Sequence, residues 1–240
     1  MIVAIMQPTY LPWMGYFDLI DQSDVFVFLD SVAFSGRSWQ QRNRILTKDG
    51  PLWLTVPVRQ ASGTRICDVA IDNTQSWAKK HSTSVERSYR RSPYWDLLAA
   101  ALGEAYGREW DLLAELDIYL IESLGEQLGV SARFERATHL PATKGAKGGA
   151  LLEICLELGA TTYLSPPGSF DYLHADAGFS AHGIDLVFQH FEHPAYPQSR
   201  DEFVPYLSVV DLIANTGPGA AEVIRSGRRP ARTVEEMEQV

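Results

Sequence analysis

Ile2-Val3-Ala4-Ile5-Met6, then Gln7-Pro8-Thr9-Tyr10-Leu11-Pro12-Trp13, then Met14-Gly15-Tyr16-Phe17-Asp18-Leu19-Ile20: these residues decide the fold. The first five form an apolar run with the length and type of a buried strand. Pro8 cannot donate to a sheet ladder and fixes its own φ, so the strand stops at Gln7. Pro12 suits the first turn of a helix over residues 12–22, with Trp13, Phe17 and Ile20 on one side. Asp24-Val25-Phe26-Val27-Phe28-Leu29-Asp30 follows as a second buried strand bounded by carboxylates. Strand, helix, strand in that order predicts a parallel pair with a right-handed crossover. Open sheets of this kind bind ligands beyond the carboxyl ends of their strands. The proline-stiffened loop from Gln7 to Trp13 is therefore the first candidate site. Gln7 offers a donor and an acceptor there, and Tyr10 and Trp13 offer stacking faces; equally, the two rings pack and Gln7 only caps the turn.

The rest of the chain extends this pattern. Residues 52–58 and 66–71 read as a third and a fourth strand. Residues 77–92, 94–106 and 107–129 read as helices. In the last, Leu112, Leu113, Leu116, Leu120, Leu124 and Leu128 step by three or four, and Gly129 supplies the stop. Strand and helix then alternate: strand 130–138, helix 149–158, strand 161–165, helix 175–182, strand 184–190, and a segment 204–215 that is helical at its end. The expected fold is α/β, a mainly parallel, Rossmann-like sheet flanked by helices, with a helical insertion over about residues 75–129. Residues 1–217 are expected to form one domain. The Gly-, Ala-, Arg- and Glu-rich tail, 218–240, is expected to pack poorly and be mobile.

The chain has 240 residues, 45% of them hydrophobic and 21% charged, as in an ordinary globular protein. No apolar run approaches the roughly 18 residues of a membrane span. The first residues lack the basic region and long apolar stretch of a secretory signal, so cytosolic residence is expected. The net charge of −9, from 21 basic and 30 acidic residues, argues against a surface that grips nucleic acid throughout; DNA is not an expected partner. Cys67 and Cys155 lack metal-type spacing and read as reduced thiols.

Several clusters could carry chemistry. Arg37-Ser38-Trp39-Gln40-Gln41-Arg42-Asn43-Arg44 offers guanidinium forks for phosphate or carboxylate, and Gln40, Arg42 and Asn43 for an anionic, hydroxyl-rich ligand. A solvated basic loop is the plainer reading. His81, after Lys79-Lys80, could act as acid or base, or simply pack. Thr143-Lys144-Gly145-Ala146-Lys147-Gly148-Gly149 precedes a helix and could hold an anion, or be a plain flexible loop; its spacing is not that of a Walker A motif. His190-Phe191-Glu192-His193-Pro194-Ala195-Tyr196-Pro197-Gln198 follows a strand. Consecutive residues on an extended chain point apart, so no metal site is expected, and His193, Tyr196 and Gln198 read instead as a ligand-facing loop. Ser208 and Asp211 share one helical face. The sequence has no Gly-x-Ser-x-Gly elbow, no Cys/His nucleophile signature and no Gly-x-Gly-x-x-Gly loop.

Taken in order, these segments resemble the WbqC-like family. The resemblance is carried by residues 7–17, 24–30, 38–45, 54–58, Lys80-His81, Leu158-Gly159-Ala160 with Tyr163-Leu164-Ser165, Asp171-Tyr172-Leu173, 193–198 and 203–212, and it covers about residues 1–217. Ser31, Gly36 and Pro166 depart from it, standing where an acidic residue, a basic residue and a glycine are expected. The resemblance implies a place among surface-polysaccharide and other biosynthetic functions of bacteria. The activity it implies is a transferase or ligase that acylates, for example glycylates, the amino group of a nucleotide-linked amino sugar or similar metabolite. Its partners would be a small-molecule amine and an acyl donor. In that reading His81 or His193 is the general base, oriented by Asp30 or Asp211. Gln7, Tyr10, Gln40, Arg42, Asn43, Lys147, Ser165, Tyr172, Tyr196 and Gln198 bind the substrate. One alternative is a module that binds a sugar nucleotide or partner without catalysis. Another is a transferase using aminoacyl-tRNA, held by Arg37, Arg42, Arg44, Lys79 and Lys80. The opening also looks like nucleotidylyltransferase-type and pantothenate-synthetase-type folds, which would imply ATP as a cofactor. Trp13-Met14-Gly15-Tyr16 stands where those folds carry His-x-Gly-His.

Overall fold

The computed structural model describes residues 1–59, 63–141, 148–173 and 178–239. The chain opens with β1 (Ile2–Met6), α1 (Met14–Asp21) and β2 (Val25–Phe28). A hairpin, β3 (Arg42–Thr47) and β4 (Gly50–Thr55), follows, then a short ribbon of β5 (Val58–Arg59) and β6 (Ala70–Ile71). The helical insertion is α2 (Trp77–Tyr89), α3 (Trp95–Gly107) and α4 (Leu113–Leu128). Next come β7 (Arg133–Arg136), α5 (Gly148–Glu157), β8 (Thr162–Ser165), α6 (Phe170–Leu173), α7 (Gly178–Ala181) and β9 (Asp185–Phe191). The chain closes with α8 (Val209–Thr216), α9 (Ala220–Ser226), β10 (Arg228–Arg232) and α10 (Val234–Met237).

Six strands form the main sheet in the order β10-β9-β8-β1-β2-β7. All neighbours are parallel except β10, which pairs antiparallel with β9. The expected α/β fold with a mainly parallel sheet and a helical insertion is what the chain adopts. Both faces of the sheet are covered, and strand alternation divides the core in two. Val3, Ile5, Val25 and Val27 pack with Leu151 and Ile154 of α5 on one face. Ala4, Phe26 and Phe28 pack with α1 and the helical insertion on the other.

The path of the sheet positions the site. From β1 the chain steps outward to β2 and β7, then returns to β8 on the opposite side of β1 and steps outward again to β9 and β10. The direction reverses between β1 and β8. Loops leaving these two strands diverge to opposite faces, so a crevice opens at their carboxyl ends.

Several elements differ from expectation. The first helix begins at Met14, with Trp13 as its N-cap, so Pro12 stiffens the loop and stands outside the first turn. The third expected strand is β4, which pairs with β3 in a hairpin outside the main sheet; its partner begins at Arg42, inside the basic segment. The fourth shrinks to β6, preceded by a 3-10 turn at Ile66–Asp68. The long leucine-rich helix starts at Leu113, and Gly129 ends it in the left-handed conformation (φ 64°). The helix expected over 175–182 is described only as α7; residues 174–177 lie outside the described residues.

The tail is the largest correction. It carries α9, the edge strand β10 and α10, with Ala220 and Ile224 buried and Thr233 and Glu236 forming a capping box. Arg225 and Arg228 reach back to Asp21 and Asp18 on α1. Composition concealed this order because the stabilising contacts are ion pairs to residues more than 200 positions earlier. Pro230 is tolerated because β10 is an edge strand with a register shift between Arg229 and Arg232. Among the described residues, no helix is long and apolar enough to cross a membrane.

Candidate functional site

A cleft of about 600 Å³ lies at the reversal point, beyond the carboxyl ends of β1, β2 and β8. Its floor is Ile5, Met6 and Leu29. One wall is the first loop and the start of α1: Gln7, Thr9, Pro12, Trp13, Gly15 and Tyr16. A second is the segment before β3: Ser35, Ser38, Trp39, Gln40 and Asn43. The turn after β8 supplies Pro166, Pro167, Gly168 and Ser169, with Tyr172 and Leu151 close by, and Tyr163, Gln189 and Tyr206 complete the lining. No charged side chain occurs among these described lining residues. The wall is aromatic and carboxamide.

The carboxamides are oriented by partners that can only donate or only accept. The Ser35 backbone N–H donates to Gln40 Oε1 at 2.8 Å, so Gln40 turns its Nε2 to Gln7 Oε1, at 2.6 Å. Gln7 Nε2 is thereby left without a partner among the described residues. Asn43 donates from Nδ2 to the carbonyls of Tyr10 (3.3 Å) and Leu11 (2.7 Å), and accepts the Arg44 N–H at Oδ1. It holds Leu11 in a left-handed conformation (φ 46°) that a leucine seldom adopts. Arg37 and Tyr206, which flank the cleft, are also left-handed, each at φ 58°. Backbone strain of this kind persists where surrounding contacts over-determine it, as at ligand sites.

Trp13 is fixed by rings on several sides. Phe191 meets it edge-on, His193 lies nearly parallel at 6.0 Å, and Tyr206 is tilted at 5.5 Å. A Cβ on Gly15 would fall 2.3 Å from the indole, so only glycine lets this ring lie over α1. At the opposite rim Trp39 is half exposed and meets Trp53 at 5.3 Å; the Arg42 guanidinium sits 4.4 Å over the Trp53 ring and Arg44 5.6 Å from it.

Of the residues singled out from sequence, the structure brings Gln7, Trp13, Gln40, Asn43 and Tyr172 to the cleft. The four catalytic candidates are occupied elsewhere. His81 is buried in α2; its Nδ1 meets the Tyr10 hydroxyl at 2.8 Å, and that hydroxyl also meets Tyr106. Burial pushes His81 down to about 4, against a hydrogen bond with the Thr55 backbone. Tyr10 is thus a core residue with its hydroxyl committed. At His193, Nε2 accepts the Tyr206 N–H and Nδ1 meets the Pro194 carbonyl, so the neutral ring has no lone pair left for a substrate proton. Burial lowers its pKa as well.

Asp30 is fully buried and accepts from Arg136 Nε (2.8 Å), the Thr138 N–H and the Thr138 hydroxyl, clamping β2 to the residues after β7. Asp211 accepts from Tyr89, Tyr196 and Gln198, and burial raises its pKa. Tyr196 and Gln198 therefore serve this carboxyl, away from the cleft. Ser165 bonds Ser169 and Tyr163 beneath the cleft wall. Arg42 stands on the outer rim, over Trp53. Lys147 lies outside the described residues.

Sequence reasoning missed Gln189, Tyr206 and Ser169. Gln189 left one signal, an amide near the end of an otherwise apolar strand. Tyr206 and Ser169 left none, because they reach the cleft through turns.

The sequence model described as the WbqC-like protein family matches residues 7–223. The uncharacterized protein Rv1507c of Mycobacterium tuberculosis (strain ATCC 25618 / H37Rv) is 33% identical over 232 residues, spanning 95% of this chain and 99% of that protein. No solved structure matches the chain.

Proposed function

The chain belongs to the WbqC-like protein family, and from that premise we propose that its cleft binds an amine-bearing, nucleotide-linked sugar or similar metabolite and presents the amine for acylation by an activated donor. The observation that carries this reading is the uncharged lining, aromatic and carboxamide, at the sheet's reversal point. Removing an ammonium ion from water into such a site favours its neutral form, which is the nucleophile. Trp13, Trp39 and Tyr172 cover the apolar faces of a ring, while Gln7 Nε2 donates to an acceptor oxygen. Trp53 with Arg42 and Arg44 extends the rim outward and suits the anionic handle of the ligand. Rate then comes from holding amine and acyl carbon in register, an effect equivalent to about 10⁵–10⁸ M in well-oriented systems.

A second reading, binding without catalysis, is favoured by one observation: His81, His193, Asp30 and Asp211 all use their proton-accepting atoms in other contacts. The two readings separate by intact mass. Nucleotide-linked amino sugars are incubated with the protein and an aminoacyl adenylate, thioester or aminoacyl-tRNA. Acylation predicts a mass gain on the amine that falls at least tenfold in Gln40→Leu. Tight binding with no mass gain selects the binding module. Absence of any binding overturns both.

A further inference from the structure

We propose that Gln189 is the cleft's hydrogen-bond acceptor for an N–H or O–H group of the bound molecule. Asp18 and Arg228 hold it in that role, and the C-terminal edge strand is therefore part of the site. The inference rests on the cleft being the binding site proposed above.

Gln189 is buried in β9, and its Nε2 donates both hydrogens: to the Gly15 carbonyl at 2.9 Å and to Asp18 Oδ2 at 2.6 Å. The Gly15 carbonyl and the Asp18 carboxylate oxygen are both acceptors, so the amide has one orientation. Oε1 is what remains. It has no partner among the described residues, and the side chain lines the cleft. Gln7 is arranged in the opposite sense, with Oε1 occupied by Gln40 and Nε2 without a partner among the described residues. The two amides give the cleft a donating end and an accepting end. An amine or a hydroxyl meets the accepting end; a carbonyl, ether or phosphoryl oxygen meets the donating one.

The orientation of Gln189 depends on the placement of a fully buried carboxylate. Asp18 is held by Arg228, whose Nε lies 2.8 Å from Oδ1, and by Gln22, which donates to Oδ2 at 2.7 Å. Loss of the guanidinium would leave Oδ1 without that donor and the carboxylate free to turn away from Gln189 Nε2, releasing the amide. Arg228 is held by the pairing of β10 with β9 and by a second bond to Asp21, which Arg225 also grips. These arginines stand after residue 223, where the family match ends. Asp18 and Arg228 are positioning residues; of the three, Gln189 is the one that lines the cleft.

The test maps the cleft with small probes, so it stands apart from the acylation assay. Crystals of the full chain are soaked separately in isopropanol, which can donate, and in acetone, which can only accept. The expected result is an isopropanol hydroxyl on Gln189 Oε1 and an acetone carbonyl on Gln7 Nε2. Gln189→Met should lose the first and keep the second. Arg228→Lys, which keeps the charge but not the guanidinium geometry, should weaken isopropanol at Gln189 while sparing acetone at Gln7. A purely structural role for Arg228 would weaken both alike, and that outcome overturns its positioning role. Acetone seated on Gln189, or no isopropanol within hydrogen-bond distance of Oε1, overturns the assignment of Gln189 even if sugar nucleotides bind the cleft.

Discussion

His81 and Asp117 mark two ways in which burial handles a titratable side chain. His81 gains partners in Tyr10 and the Thr55 backbone, and burial holds its pKa near 4, from a usual 6.5. Asp117 on α4 is fully buried with neither carboxylate oxygen partnered among the described residues, and burial pushes its pKa well up, favouring the neutral acid. For His81 the consequence is a pH-dependent stability. Because the folded pKa lies below the unfolded one, its contribution is complete above about 6.5 and is lost as pH falls towards about 4. The gap is worth about 3 kcal/mol. Urea midpoints measured from pH 7 to pH 4 should therefore fall less steeply in His81→Gln than in the parent protein. Parallel curves would mean that His81 does not titrate in this window.

At the scale of the element, α1 is short, yet it serves the cleft, the core and the tail together. Trp13 caps it and lines the cleft, Phe17 and Ile20 fill the core, and Asp18 and Asp21 receive the tail arginines. Gly15 makes this possible by leaving room for the indole. The Trp13 ring cannot yield easily, since Phe191, His193 and Tyr206 surround it. Gly15→Ala should expel it, shifting tryptophan emission to the red and destabilising the protein by about 1–3 kcal/mol, the usual range for overpacking. An unchanged spectrum and an unchanged urea midpoint would show that the ring can move aside at no cost. The hairpin of β3 and β4 is a second compact device. Its Asn43 holds the strained first loop, while Arg42 and Trp53 on the same hairpin face outward to the rim.

Across the whole molecule, the tail closes the sheet and neutralises α1. Ending the chain after Ser226 would remove β10 and strip Arg228 from the buried Asp18. Breaking a buried ion pair from one side costs about 3–5 kcal/mol, which for a chain of this size lowers the melting temperature by about 10 °C or more. Calorimetry of the truncated protein checks this; an unchanged melting temperature would mean the tail is dispensable, as its composition implies. Much of the architecture was legible in the sequence. Ile2–Met6 and Val25–Phe28 are apolar runs whose burial on both faces is a local matter of residue type, and the leucine spacing of Leu113–Leu128 is equally local. The loop after β1 was legible as an irregular, proline-stiffened segment at a strand end for the same reason, and it forms one wall of the cleft. What the sequence could not determine was the use of each polar atom. His81, His193, Asp30 and Asp211 have the side chains of catalytic groups, and only tertiary packing commits their lone pairs to Tyr10, Tyr206, Arg136 and Tyr196. Gln189, from a strand more than 170 residues after α1, became part of the cleft by the same long-range pairing. Periodicity and backbone chemistry act between neighbours in the chain and so decide the elements. Hydrogen-bond partners are decided by proximity in space, which exists only once the sheet has assembled.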